Sequence, residues 1–128
     1  MKEVIHESAE DYLETILKLS EKLPVVRAVD IANDLNYKKS SVSVAMKNLR
    51  QSGHIEVSDA GFITLTDSGM EIARRIYERH LFLSEWLVRL GVDPELATHD
   101  ACRLEHDMSV ETFEAIRSFV EANLAEEA

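Results

Sequence analysis

Apolar positions recur with a helical period along most of this chain and switch to alternation only once. Tyr12, Leu13, Ile16, Leu17 and Leu19 predict a first helix over residues 9 to 22, with Ser8 as its cap, Asp11 at the third helical position and Pro24 just beyond its end. The stretch "RAVDIANDLN" (residues 27 to 36) places Val29, Ile31, Ala32 and Leu35 on one face and predicts a short second helix stopping at Asn36. After Tyr37, Lys38 and Lys39, Ser40 or a neighbour can cap a third helix striped by Val42, Ala45, Met46 and Leu49 and ending near Ser52 and Gly53. Two short helices around a tight turn make a helix-turn-helix candidate.

The period changes at His54. Ile55 and Val57 alternate with polar residues, "SDAG" supplies a turn, and residues 62 to 66 are β-rich, so a two-stranded hairpin, or wing, is expected. Thr66 or Asp67 then caps a helix over residues 69 to 79 that can continue through His80 to Leu90, before Gly91. Asp93 followed by Pro94 starts a helix reaching about residue 107, and Ser109 starts a last one with Val110, Phe113, Ile116, Phe119 and Val120 on its apolar face. The expected architecture is mainly α: a winged helix-turn-helix of three helices and a two-stranded wing (residues 1 to 72), followed by a helical dimerisation lobe (residues 73 to 128).

Composition narrows the setting. At 128 residues and 45% hydrophobic, the chain can bury one core or two small lobes, and its single cysteine excludes an intramolecular disulfide framework. The N-terminus "MKEVIHESAEDY" lacks the apolar run of a signal peptide, which points to the cytoplasm. The most apolar stretch, "LFLSEWLVRLGV", is interrupted by Glu85 and Arg89 and falls short of the roughly 20 residues of a membrane span, so no membrane role is expected. Its Phe82, Leu83, Trp86, Leu87 and Leu90 form a larger apolar face than a small lobe can bury alone, which predicts a homodimer.

A net charge of −10 argues against blanket affinity for polyanions, but the charge is unevenly placed. Residues 21 to 54 hold six basic residues against three acidic ones, whereas residues 93 to 128 hold two against ten. Lys38 and Lys39 fall at the start of the third helix, where the macrodipole disfavours cations, so local stability does not account for them. A helix N-terminus attracts phosphate, and Ser40, Ser41, Ser43, Lys47 and Arg50 add donors suited to a DNA backbone and base edges, with Arg27 nearby in sequence. A merely solvated basic face is the alternative. Its coincidence with a helix-turn-helix and a wing favours double-stranded DNA.

"HDACRLEHDMS" raises a second possibility. Cys102, Glu105 and His106 are three and four residues apart, which puts a thiol, a carboxylate and an imidazole on one helical face, as metal ligation requires. His99 shares that face at longer spacing and is either an additional ligand or a surface residue. Asp11 and Glu14 are also three apart, although Asp11 can complete a capping arrangement with Ser8 and Glu14 can pair with Lys18. His80 by itself reads equally as an interface histidine, and Cys102 by itself as a small buried hydrophobe.

Taken together, "SAEDYLETILKL", "VRAVDIANDLNYKKSSVSVAMKNLRQSGHI", "ITLTDSGMEIARRIYERHLFLSEWLVRLGV" and "ACRLEHDMS" resemble the diphtheria toxin repressor family of metal-dependent transcriptional regulators, in particular its short manganese-responsive (MntR-type) members. The resemblance spans nearly the whole chain. It implies a homodimer binding palindromic operators, divalent metal held between the DNA-binding and dimerisation lobes, and no SH3-like third domain. The ligands it implies are Asp11, Glu14, His80, Cys102, Glu105 and His106. Cysteine at 102 matches the iron-type pattern and Asp11 with Glu14 the manganese type, so Fe2+ or Mn2+ is expected as corepressor. For an ancillary site, Ser84 stands where the iron-type pattern has glutamate, which leaves Glu85 and His99 as additional candidates, each displaced by one position.

Two other classes of function use the same donors. An enzyme using these donors to activate water lacks any Gly-rich phosphate loop or activated-serine motif, so neither catalysis nor a small-molecule substrate is expected. A metal-independent winged-helix regulator with Cys102 as a redox sensor is the alternative regulator.

Overall fold

The computed structural model describes residues 7–127, with side chains over residues 9–124. Its helices and strands run in the order α1 (Glu7–Lys22), α2 (Ala28–Leu35), α3 (Lys39–Gln51), β1 (Ile55–Val57), β2 (Ile63–Leu65), α4 (Asp67–Arg89), α5 (Pro94–Asp107) and α6 (Val110–Glu127). Two compact units part between Ile76 and Tyr77, within α4.

In the first unit, Leu13 and Ile16 of α1, Ile31 of α2, Val42 and Met46 of α3 and Ile55 of β1 share one core. These are the apolar stripes of the sequence, brought face to face by short connections. The Arg27 N–H donates to the Asp30 carboxylate at 2.9 Å and so closes the first turn of α2. Asn36 ends that helix with φ 57, a left-handed conformation that asparagine tolerates better than most residues. That turn delivers the chain into α3 at Lys39, earlier than a serine cap would place it. Lys38 is the cap position and makes no side-chain cap bond, so Ser40 lies inside the helix. Likewise α1 already includes Ser8, which therefore does not start the helix; its side chain lies outside the described residues.

The wing pairs Ile55 with Leu65, Glu56 with Thr64 and Val57 with Ile63 in antiparallel register. Ile63 N–H also donates to the Val26 carbonyl at 2.7 Å, fastening the wing to the segment before α2. Of the two expected caps for α4, Thr66 is the one used: its Oγ1 accepts from Gly69 N–H at 3.2 Å and donates to Gly53 O at 2.7 Å. Gly69 lies against the backbone of His54, where any Cβ would meet the carbonyl oxygen.

In the second unit, no helix breaker interrupts residues 77 to 89, and α4 continues past His80 to Arg89. Gly91, at φ 100, turns the chain out of that helix. Asp93 accepts from the N–H groups of Glu95 and Leu96 to cap α5, and Ser109 Oγ accepts from Thr112 N–H at 3.1 Å to cap α6. Leu83, Ala101 and Phe113 are buried together, with Phe82, Trp86, Leu87, Leu104 and Met108 packed around them. Leu83 is 0% exposed and belongs to this core, which corrects its expected place in a dimer interface.

Candidate metal centre and nucleic-acid surface

Helical offsets on α5 do what the sequence spacing implies: ligand atoms of Cys102, Glu105 and His106 lie within 4.8 Å of one another. Glu105 is 1% exposed. Its Oε1 stands 3.5 Å from His106 Nε2, and its Oε2 stands 3.5 Å from Nδ1 of His80, contributed by α4. One buried carboxylate therefore has an imidazole at each oxygen.

His80 Nδ1 is buried and makes no hydrogen bond among the described residues. A buried imidazole nitrogen without a hydrogen bond is costly, since it does not recover its lost hydration. A divalent cation removes that cost by accepting a lone pair from the nitrogen. Two imidazoles, a carboxylate and a thiol fit a divalent transition metal and do not fit Ca2+ or Mg2+, which favour all-oxygen shells.

Arg79, the residue before His80, carried no signal in the sequence. It is buried, donates from Nη2 to the Met108 carbonyl at 3.0 Å and lies 4.9 Å over the Phe113 ring. It thereby ties α4, next to one donor, to the C-terminal end of α5, two residues beyond another. Only the three-dimensional approach of these helices could reveal it.

The remaining donors are distributed as follows. Asp11 and Glu14 lie on α1 in the first unit; Glu14 is 4% exposed, with Oε2 buried and Lys18 Nζ at 3.6 Å, so the anticipated i,i+4 pairing is present. Glu85 on α4 and His99 on α5 are exposed and stand outside the donor clusters around Glu105 among the described residues.

On α3, Val42, Met46 and Leu49 are buried, so the opposite face is open to solvent. Lys38, Lys39, Ser40, Ser41, Ser43, Lys47 and Arg50 are all exposed. Arg27 is exposed too, its guanidinium 4.9 Å over the Phe62 ring at the end of the wing turn. Lys39, Lys47 and Arg50 thus lie along α3 with Lys38 at its cap, and Arg27 stands at the cap of α2.

Residues 5–61 match the iron dependent repressor N-terminal DNA binding domain, and residues 66–123 match the iron dependent repressor metal binding and dimerisation domain. The chain belongs to the iron-dependent repressor family. As a member it is a metal-dependent transcriptional regulator, and the alternative of a metal-independent redox regulator is not favoured. This repressor is 37% identical over 117 residues to an uncharacterized HTH-type transcriptional regulator of Methanocaldococcus jannaschii, covering 90% of this chain and 94% of the relative. It is 36% identical over 115 residues to the transcriptional regulator MntR of Escherichia coli, covering 90% and 74%. Among solved structures, a manganese-dependent transcriptional repressor in complex with manganese superposes with a TM-score of 0.78 at 28% identity, over 91% of this chain and 52% of that one. The chain therefore spans about half the length of that structure. Among the described residues of the repressor, no helix is long and apolar enough to cross a membrane.

Proposed function

We propose that the protein binds double-stranded operator DNA as a homodimer when loaded with Fe2+ or Mn2+, and represses genes of metal homeostasis in the cytoplasm. The observation that carries this reading is Glu105, buried between the imidazoles of His80 and His106. In this reading residues 1 to 72 act as the DNA-binding domain and residues 73 to 128 as the metal-binding and dimerisation domain.

His80, Cys102, Glu105 and His106 hold the ion, with Asp11 and Glu14 as further carboxylate ligands on the strength of their oxygen chemistry and the family pattern. When bound, the ion supplies the positive charge that makes burial of Glu105 favourable. Arg79 keeps the two helices that carry these donors together. Arg27, Lys38, Lys39, Lys47 and Arg50 neutralise phosphates, while Ser40, Ser41 and Ser43 donate to backbone and base edges. Phe82, Trp86, Leu87 and Leu90 supply apolar surface for the partner subunit, with Leu90 63% exposed. The chain acts as a regulator, not an enzyme, and takes no small-molecule substrate.

The deciding experiment measures affinity for an operator selected from random duplex DNA, using chelator-treated protein with and without Mn2+ or Fe2+ under anaerobic conditions. Metal is expected to restore tight binding, and Glu105→Ala to abolish the restoration. Equal affinity with and without metal overturns the reading.

A further inference from the structure

The outward face of α3 carries one residue that neither the core nor the helix explains. Helical geometry puts Ser40, Ser41, Val44, Lys47, Asn48 and Gln51 on the side away from the buried stripe, and all are exposed. Five are polar. Val44 is 60% exposed and sits at the centre of the group. A β-branched residue at an exposed helix-interior position loses rotamer freedom and has lower helix propensity than alanine, so local stability does not favour valine there.

Its surroundings say what it can meet. Ser40 and Ser41, one turn earlier, are small and permit close approach; Lys47 and Asn48, one turn later, carry donors that match base edges in the major groove. Exposed Lys38, Lys39 and Arg50 provide the positive charge that brings phosphates to this helix. An apolar group ringed by donors on a cationic helix is complementary to one feature of the major groove, the 5-methyl group of thymine. Resting on the DNA-binding reading above, we infer that Val44 is a specificity-determining residue that reads a thymine methyl group in each operator half-site.

The test uses the manganese-loaded full chain and an operator selected from random duplex DNA. Each thymine is replaced in turn by deoxyuridine, which removes only the methyl group. Wild-type protein is expected to lose about fourfold in affinity per half-site at one thymine position, the burial of one methyl group. Val44→Ala is expected to weaken binding to the thymine operator by a similar factor and to be indifferent to deoxyuridine at that position. Val44→Thr, which keeps a methyl group in place, restores part of the discrimination. Because the side chain is exposed, the thermal midpoint of Val44→Ala should equal or exceed that of wild type, separating loss of reading from loss of fold.

If wild type tolerates every deoxyuridine, or the penalties of Val44→Ala and deoxyuridine simply multiply, Val44 is an ordinary exposed apolar residue and the inference is overturned. If the loaded protein selects no operator at all, the DNA-binding reading falls and takes this inference with it.

Discussion

His80 Nδ1 and Glu105 Oε2 face each other at 3.5 Å, both buried, across the packing of α4 on α5. That separation exceeds the roughly 2.7–3.2 Å of a good N–H···O hydrogen bond. At that distance the two groups are poorly served by direct contact.

Removing the carboxylate charge should therefore divide stability from function. Glu105→Gln keeps the size and shape of the side chain while removing its charge, and is expected to leave chelator-treated protein folded. It should also abolish the thermal shift on adding Mn2+, which for wild type amounts to about 2.7 kcal/mol at a free metal concentration of 100 Kd. Thermal melts of both proteins with and without Mn2+ check this; an equal metal-induced shift in the two would remove Glu105 from the site.

Arg79 offers a second handle. Arg79→Ala removes a charged hydrogen bond to the Met108 carbonyl and a cation contact on Phe113, and should cost about 1.5–3 kcal/mol in denaturant unfolding of metal-free protein. Arg79→Lys is expected to recover little, since an ammonium lacks the planar fork that donates to the carbonyl while lying over the ring. Full recovery by lysine would mean that charge alone matters.

Gly69 tests the wing. Gly69→Ala drives a Cβ into the His54 carbonyl, which already accepts from Thr66 N–H at 3.1 Å, so strand and helix start must move apart. A loss of about 1–3 kcal/mol is expected in chemical denaturation. An unchanged midpoint would show that this junction yields easily.

Salt dependence distinguishes phosphate contacts from base reading. Lys39→Ala should weaken binding about equally on specific and random duplexes and lower the slope of log affinity against log salt by about one. An unchanged slope would place Lys39 away from the DNA backbone.

At alkaline pH the relevant group is Tyr12. Burial first, then the neighbouring Tyr37 and Asp11, raise its phenol above the ordinary 10.0. The folded state thus holds the proton more tightly than the unfolded one, so this contribution is complete below pH 10.0 and is lost as pH rises through the raised value. Tyr12→Phe should flatten that part of the stability profile, measured by urea unfolding across alkaline pH. The same alkaline fall in the variant would assign it to other groups.

What the sequence determined by itself was local. Stripes such as Val42, Met46 and Leu49 on α3, the Asp93 and Ser109 caps, the hairpin after His54 and the shared face of Cys102, Glu105 and His106 all follow from backbone periodicities and short-range hydrogen bonding. Where a long-range contact had to choose between local possibilities, the sequence was silent. Only tertiary structure put Leu83 in the core while leaving Leu90 open and turned Arg79 into a tie between helices; His80, grouped with Glu105 by the family resemblance, it set 3.5 Å from that carboxylate. Glu85 and His99 stand outside the donor clusters around Glu105 among the described residues. The physical reason is that burial and donor convergence depend on how elements far apart in the chain approach one another, and no spacing within one helix encodes that approach.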